Sequence, residues 1–135
     1  MKKLFLDSDI MLDAGLRRNP FYISAINLLE LCHQSQIQCA ASSNAFINTY
    51  YFLRKFAPAT AMTSLRNLRS ILSITEVNET IVDQALNSNF TDFEDAVQFY
   101  AALNAKADAI ITRNIKDYKQ STIPVLTAEQ FLKTL

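Results

Sequence analysis

The sequence predicts an α/β fold, a three-layer α/β/α sandwich around a mostly parallel five-stranded sheet. Short apolar runs, too brief for helices, alternate along the 135 residues with longer stretches of helical period. Strand–helix alternation of this kind builds parallel sheets covered on both faces. The first run, Leu4-Phe5-Leu6, stops at a carboxylate, Asp7, where open α/β sheets place their ligand crevice. Burying an unpaired carboxylate is costly, so Asp7 requires partners.

The elements follow in order. Residues 3–6 form the first strand, and Ser8 or Asp9 can cap the helix after it. Asn19-Pro20 breaks that helix, and a second runs over 21–35 with Phe21, Ala25, Leu28, Leu29 and Cys32 on one face. Residues 37–41 are the second strand. Ser42-Ser43-Asn44 is a cap cluster before an aromatic helix over 45–56, and the segment from Pro58 to about Leu72 is another helix. Residues 73–77 form the third strand, and Asn78 or Thr80 starts a short helix to about Ser88. Thr91 caps a long helix over 92–106. The strand 108–112 ends at Thr112-Arg113-Asn114, with Asp117-Tyr118 in the loop beyond. Residues 123–126 make the last strand, and Thr127 caps a closing helix over 127–135. No linker or repeat divides the chain, so residues 1–135 are expected to be one domain.

Composition removes several function classes. Gly15 is the only glycine, and both nucleotide-binding fingerprints need several, so dinucleotide and P-loop readings fall away. His33 is the only histidine, which leaves Ser-His-Asp and Cys-His catalysis without a base. Cys32 and Cys39 fit no zinc spacing and read as small apolar residues. No apolar run reaches membrane-spanning length, and the three apolar residues before Asp7 make no signal peptide, so a cytoplasmic protein with no membrane association is expected.

Net charge is zero but unevenly spread. Residues 1–69 hold eight Lys/Arg against four acids, and residues 70–105 hold six acids and no Lys or Arg. Residues 106–135 return to five basic against three acidic. An acidic centre between basic flanks suits a cation site that also holds a polyanion. Asp7 ends strand one, Asp92 and Asp95 open a helix, and Asp117 follows the fourth strand. In a parallel sheet these places share one edge, so the three clusters can converge. Converging carboxylates repel, and a hard divalent cation, Mg²⁺ or Mn²⁺, removes the repulsion and can activate water against a phosphodiester.

Taken singly, each of these acids has a structural reading. Asp92 suits a helix N-terminus, Glu94 and Asp13 suit solvated faces, and Asp117 suits a turn. Asn44 and Asn48 lie one helical turn apart and either cap and pack or hydrogen-bond into the crevice. Tyr50-Tyr51-Phe52 reads mainly as core, with base stacking as the alternative. Arg113 and Lys116 are the first candidates for phosphate contacts, with Arg17, Arg18, Arg54 and Lys55 next.

Leu4-Phe5-Leu6-Asp7-Ser8-Asp9, Asp92-Phe93-Glu94-Asp95-Ala96 and the stretch from Ile110 through Thr112-Arg113-Asn114 to Asp117-Tyr118 resemble, in that order, a PIN domain. The likeness is strongest to the small ribonucleases of the VapC-like toxin group. It implies a sheet ordered 3-2-1-4-5, an Mg²⁺- or Mn²⁺-dependent endoribonuclease, an RNA substrate, a partner antitoxin and a homodimer. Asp7 matches the first metal ligand, Asp95 the third acid, and Asn114 or Asp117 the fourth position. Ser8 matches the small residue after the first Asp, and Thr112 the threonine ending strand four. Most relatives carry Glu where Asn48 stands, which lowers the ligand charge, and Asp92 or Glu94 is available to compensate. Two other readings compete: an RNA- or protein-binding module with a weakened site, and a phospho-acceptor domain using Asp7 and Asp9. The second lacks the Asp expected at the end of a central strand.

Overall fold

The computed structural model describes residues 2–135. Its strands are β1 (Lys3–Leu6), β2 (Gln38–Ser42), β3 (Ser73–Thr75), β4 (Ala109–Ile111) and β5 (Val125–Leu126). They form one all-parallel sheet in the order β3-β2-β1-β4-β5. The helices are α1 (Ser8–Gly15), α2 (Tyr22–His33), α3 (Ser43–Phe56), α4 (Ala61–Ile71), α5 (Glu79–Leu86), α6 (Phe93–Asn104) and α7 (Ala128–Leu132). A 3-10 turn over Ile115–Tyr118 stands where the sequence predicts a plain loop.

Strand side chains alternate between faces, and the two cores follow that alternation. Leu4, Leu6, Cys39, Ala41, Ala109 and Ile111 pack on one face with Ile10 and Met11 of α1, Leu28 of α2, Phe46 of α3, Leu68 of α4 and Phe131 of α7. Phe5 and Ile110 pack on the other with Ile81 and Ala85 of α5, Ala96, Phe99 and Ala102 of α6, and Tyr118. Three layers result. β4, and β1 from Leu4 to Leu6, are apolar because both faces are covered.

Several element ends differ from expectation. α1 is capped by Asp7, whose carboxylate accepts the Ser8 N–H, rather than by Ser8 or Asp9. It ends at Gly15, well before Asn19-Pro20, because the Leu16 and Arg18 N–H groups take the carbonyls of Leu12 and Asp13. Gly15 lies close against α3, where an added Cβ would meet Leu53 Cδ2 at 2.9 Å. Asp92, not Thr91, caps α6, since its side chain accepts the Asp95 N–H. Ser42, Asn78 and Thr127 cap α3, α5 and α7 as expected, Thr127 through a reciprocal capping box with Gln130.

Candidate active site

The carboxyl ends of β1 and β4 lie side by side, with Leu6 opposite Ile111 in register. The Asp7 N–H continues the ladder to the Ile111 carbonyl at 3.0 Å, which fixes where the Asp7 side chain leaves the sheet. Its Oδ1 accepts the Ser8 N–H at 2.8 Å and the Gln98 Nε2–H at 3.5 Å. Its Oδ2 lies 3.1 Å from the Thr112 hydroxyl and 3.0 Å from the Tyr118 hydroxyl. Gln98 is itself oriented: its Oε1 accepts the Ser42 hydroxyl, and that same hydroxyl oxygen accepts the Ala45 N–H at the start of α3. A relay of buried polar groups thus runs from the α3 cap through α6 to Asp7.

Asp9 lies in the first turn of α1. Its Oδ2 accepts the Arg113 N–H at 3.0 Å and the Asn114 Nδ2–H at 3.3 Å, and lies 3.2 Å from the Thr112 hydroxyl. Thr112 has one proton for two carboxylates, so it serves Asp7 or Asp9 at a time. The Thr112 oxygen also accepts the Asn114 N–H at 3.1 Å. Burial, then the charge of Asp7, push the Asp9 carboxyl up to about 6. Its Oδ1 is buried and meets no donor among the described residues.

Asp95 and Glu94 follow the Asp92 cap into the first turn of α6. Desolvation, then the fields of Asp92, Asp117, Asp7 and Glu94, push Asp95 up to about 7. Desolvation, Asp92 and Asp7 likewise raise Glu94. Burial and the adjacent Asp7 drive the Tyr118 phenol far above its ordinary value, so it remains a donor to that carboxylate. The acids of β1, α6 and the turn after β4 therefore feel one another across a single edge.

Among the described residues no three His, Cys, Asp or Glu side chains close into a cage by themselves. Magnesium binds through one or two carboxylates and keeps several waters, so it needs no such cage. The ligand atoms available are all oxygen, the buried Asp9 Oδ1 has no partner among the described residues, and Asp95 is raised by desolvation and then by like charge. That set fits a hard divalent cation held by few direct ligands.

The remaining residues singled out in the sequence divide into two groups. Ser8 and Asn48 are joined, the Asn48 Nδ2–H donating to Ser8 Oγ at 3.1 Å, which sets Asn48 beside the Asp7 cap. Asn44, in the first turn of α3, makes no side-chain hydrogen bond among the described residues. Lys116 and Asp117 are exposed in the 3-10 turn, and Asp117 reaches the site through its field on Asp95. Tyr51 lies exposed on α3 beside exposed Ile47, not in the core. Asp13, expected on a solvated face, is 1% exposed and held by Arg18 Nε and Arg113 Nε, each at 2.9 Å. It is buried because α1 turns that face toward the loop after β4 and toward its own C-terminal turn.

Three participants were missed in the sequence: Gln98, Tyr118 and Asp13. Gln98 carried a signal, being a lone amide three residues after Asp95 within the apolar run of α6. Tyr118 carried none beyond its place next to Asp117. Asp13 lies one helical turn after Asp9, the spacing that puts both on one face of α1.

The family model described as PIN domain matches residues 3–116. The chain is 24% identical to ribonuclease VapC1 of Aquifex aeolicus (strain VF5), over 96% of this chain and 93% of the relative. Among solved structures, a toxin–antitoxin complex from Klebsiella pneumoniae superposes with a TM-score of 0.69 at 22% identity, covering 93% of this chain and 97% of that one. VapBC2 from Rickettsia felis, bound to a DNA fragment from its promoter, gives a TM-score of 0.67 at 18% identity, with coverage of 92% and 96%. These structures share the fold.

Proposed function

Since the chain belongs to the PIN-domain family, we propose that it is a divalent-cation-dependent endoribonuclease that hydrolyses RNA phosphodiester bonds as the toxin of a toxin–antitoxin pair. The observation that carries this reading is the gathering of carboxylates at one sheet edge, where desolvation and then four acidic neighbours push Asp95 up to about 7. In this reading residues 1–135 act as one domain.

Asp7, Asp95 and Asp117 are the residues that would hold Mg²⁺ or Mn²⁺, with Asp92 and Glu94 close enough in field to add charge. When bound, such an ion supplies charge neutralisation at the scissile phosphate and lowers the pKa of a bound water. Asp7 is locked in one rotamer by donors from Ser8, Gln98, Thr112 and Tyr118, so it presents fixed oxygens to the edge. Asp9 is turned toward the loop after β4 and holds Arg113 and Asn114 in place. Asn48 brings an amide where, by the resemblance, most relatives carry Glu, and its bond to Ser8 steadies the first turn of α1. Lys116, exposed beside Asp117, is placed to meet the RNA backbone.

The antitoxin partner is supported by the toxin–antitoxin complexes among the structural relatives. Ile47 and Tyr51, one turn apart and exposed on α3 next to Asn48, offer an apolar strip for that partner or for the second subunit of a homodimer. No helix among the described residues is long and apolar enough to cross a membrane.

The test is cleavage of a defined RNA panel with and without chelator. Chelation is expected to lower the rate at least ~100-fold, in the range lost when a major electrostatic stabiliser is removed, and added Mn²⁺ or Mg²⁺ should restore it. Undiminished cleavage in chelator would contradict the metal-dependent reading. RNA binding with no cleavage in either cation would favour the binding module that Asn48 suggests.

A further inference from the structure

A cleft of about 320 Å³ opens between α2, α7 and the loop after β4, lined by Phe21, Ser24, Arg113, Asn114, Thr127 and Glu129. It shares a wall with the acidic edge. Asn114 lines the cleft while its Nδ2 lies 3.3 Å from Asp9 Oδ2, and Thr112 connects Asp9 to Asp7. We propose that this cleft is a subsite for a nucleotide flanking the scissile phosphate of single-stranded RNA, with Arg113 as the group that receives it. The proposal rests on the ribonuclease reading for its position along the substrate.

Arg113 is held on two sides. Its Nε lies 2.9 Å from Asp13 Oδ2, an ion pair without hydrogen-bond geometry, and its guanidinium carbon stands 4.0 Å over the centroid of the Phe21 ring. Asp13 also receives Arg18 Nε at 2.9 Å, and Arg18 Nη2 donates to the Asp9 carbonyl at 3.2 Å. Two guanidinium groups share the buried Asp13 carboxylate, with Asp9 against the Arg113 backbone N–H and Glu129 on the cleft wall, so Arg113 offers a ligand its donor geometry rather than surplus charge. No acceptor among the described residues takes either Nη group of Arg113. The side chain therefore has lost its rotamer freedom before any ligand arrives, and it keeps an unused donor edge and a second planar face.

A nucleotide uses both. The donor edge matches a phosphate, and a base stacks on a guanidinium plane as readily as on an aromatic ring. Ser24, Thr127 and Glu129 then face the base with hydroxyl and carboxylate groups, where a hydrogen-bonding edge can be read. An acidic peptide would use the donor edge alone. Asp13 is the positioning residue of this subsite: it acts on RNA only through Arg113.

The experiment measures binding of a short fluorescent single-stranded RNA in chelator across a salt series, with cleavage in Mn²⁺ followed in parallel. Arg113→Met is expected to weaken binding about tenfold and to make the slope of log K against log salt shallower by about 0.7, the value of one phosphate contact on a single strand. Ser24→Trp fills the cleft while leaving Asp13 and Arg113 in place. It should weaken binding by a similar factor with the slope unchanged, and it decides the matter if Arg113→Met fails to fold. Wild-type affinity and slope in both variants would overturn the subsite, as would displacement of the RNA by an acidic peptide. A wild-type protein that cleaves while the variants bind normally overturns the subsite alone. One that binds through the cleft yet never cleaves supports the subsite and overturns the ribonuclease, and one that neither binds nor cleaves overturns both.

Discussion

Asp7 has four donor groups within reach of its two oxygens, the Thr112 hydroxyl being shared with Asp9, and each comes from a different part of the chain: the first turn of α1, α6, the end of β4 and the 3-10 turn. The Tyr118 bond is the one that sequence gave least warning of, because tyrosine next to an acid in a loop reads as ordinary packing. Tyr118→Phe removes only that hydroxyl from a ring that is already buried. We expect a stability loss of about 1–2 kcal/mol and roughly tenfold slower cleavage at unchanged KM, as for loss of an orienting contact worth about 1.4 kcal/mol in the transition state. Denaturant unfolding and steady-state kinetics on the same preparation check both. Asp95 makes a prediction with a sign. Its carboxyl titrates near 7 in the fold against 3.8 in the open chain. The fold therefore holds its proton more tightly, and stability falls as pH rises between those values. Asp95→Asn removes that penalty. In chelator at pH 8 its unfolding free energy by denaturant titration should exceed that of the wild type by on the order of 1 kcal/mol, solvent screening reducing the full electrostatic value. The gain should fade near pH 4, and Asp95→Asn should not cleave. A variant equal to the wild type at both pH values would show that the crowding of charge is absent.

The strands and helices themselves were legible, since period and cap residues identify them, but their ends were not. Asp7 and Asp92 cap their helices in place of the neighbours Ser8, Asp9 and Thr91. A serine, threonine or aspartate can each supply the accepting oxygen, so sequence alone does not choose among adjacent ones. The choice matters here, because the cap of α1 is also the acid on which the proposed site is centred. At the other ends, α1, α2 and α6 each close with a left-handed residue, Arg17 (φ 52), Ser35 (φ 60) and Lys106 (φ 59). The bonds Arg18 N–H to Asp13, Gln36 N–H to Leu31 and Ala107 N–H to Ala102 complete the same capping geometry each time. Glycine usually takes that position, and this chain spends its only glycine on the close approach of α1 to Leu53. An L-residue there costs about 1–2 kcal/mol, partly offset by the greater unfolded-state entropy of glycine. Lys106→Gly, at an exposed position remote from the acidic edge, should therefore raise stability by about 0.5–1 kcal/mol, measured by thermal or urea unfolding. A loss of stability would mean that the α6 cap is held by contacts of the Lys106 side chain.

At the scale of the molecule, strand order decides which acids meet. β1 lies between β2 and β4, so Asp7, the Ser42 cap of α3 and Thr112 emerge together at one edge. The basic and acidic blocks of the sequence anticipate this only coarsely. They place Asp92, Glu94 and Asp95 in an acidic stretch, and they say nothing of Asp13, which the fold buries between two arginines. That burial was illegible because it depends on a contact between α1 and Arg113, a hundred residues later in the chain. The meeting of Asp7 and Thr112 was legible, because a parallel sheet puts neighbouring strand ends on the same side. The claim that unites these scales is that this edge is a cation-dependent hydrolytic site centred on Asp7. Its most direct test is Mn²⁺-dependent cleavage of an RNA panel by the wild type and by Asp7→Asn, purified identically and matched for fold by circular dichroism. The account predicts cleavage by the wild type and a loss of at least ~100-fold in a folded Asp7→Asn protein. Equal cleavage by the two proteins would contradict it.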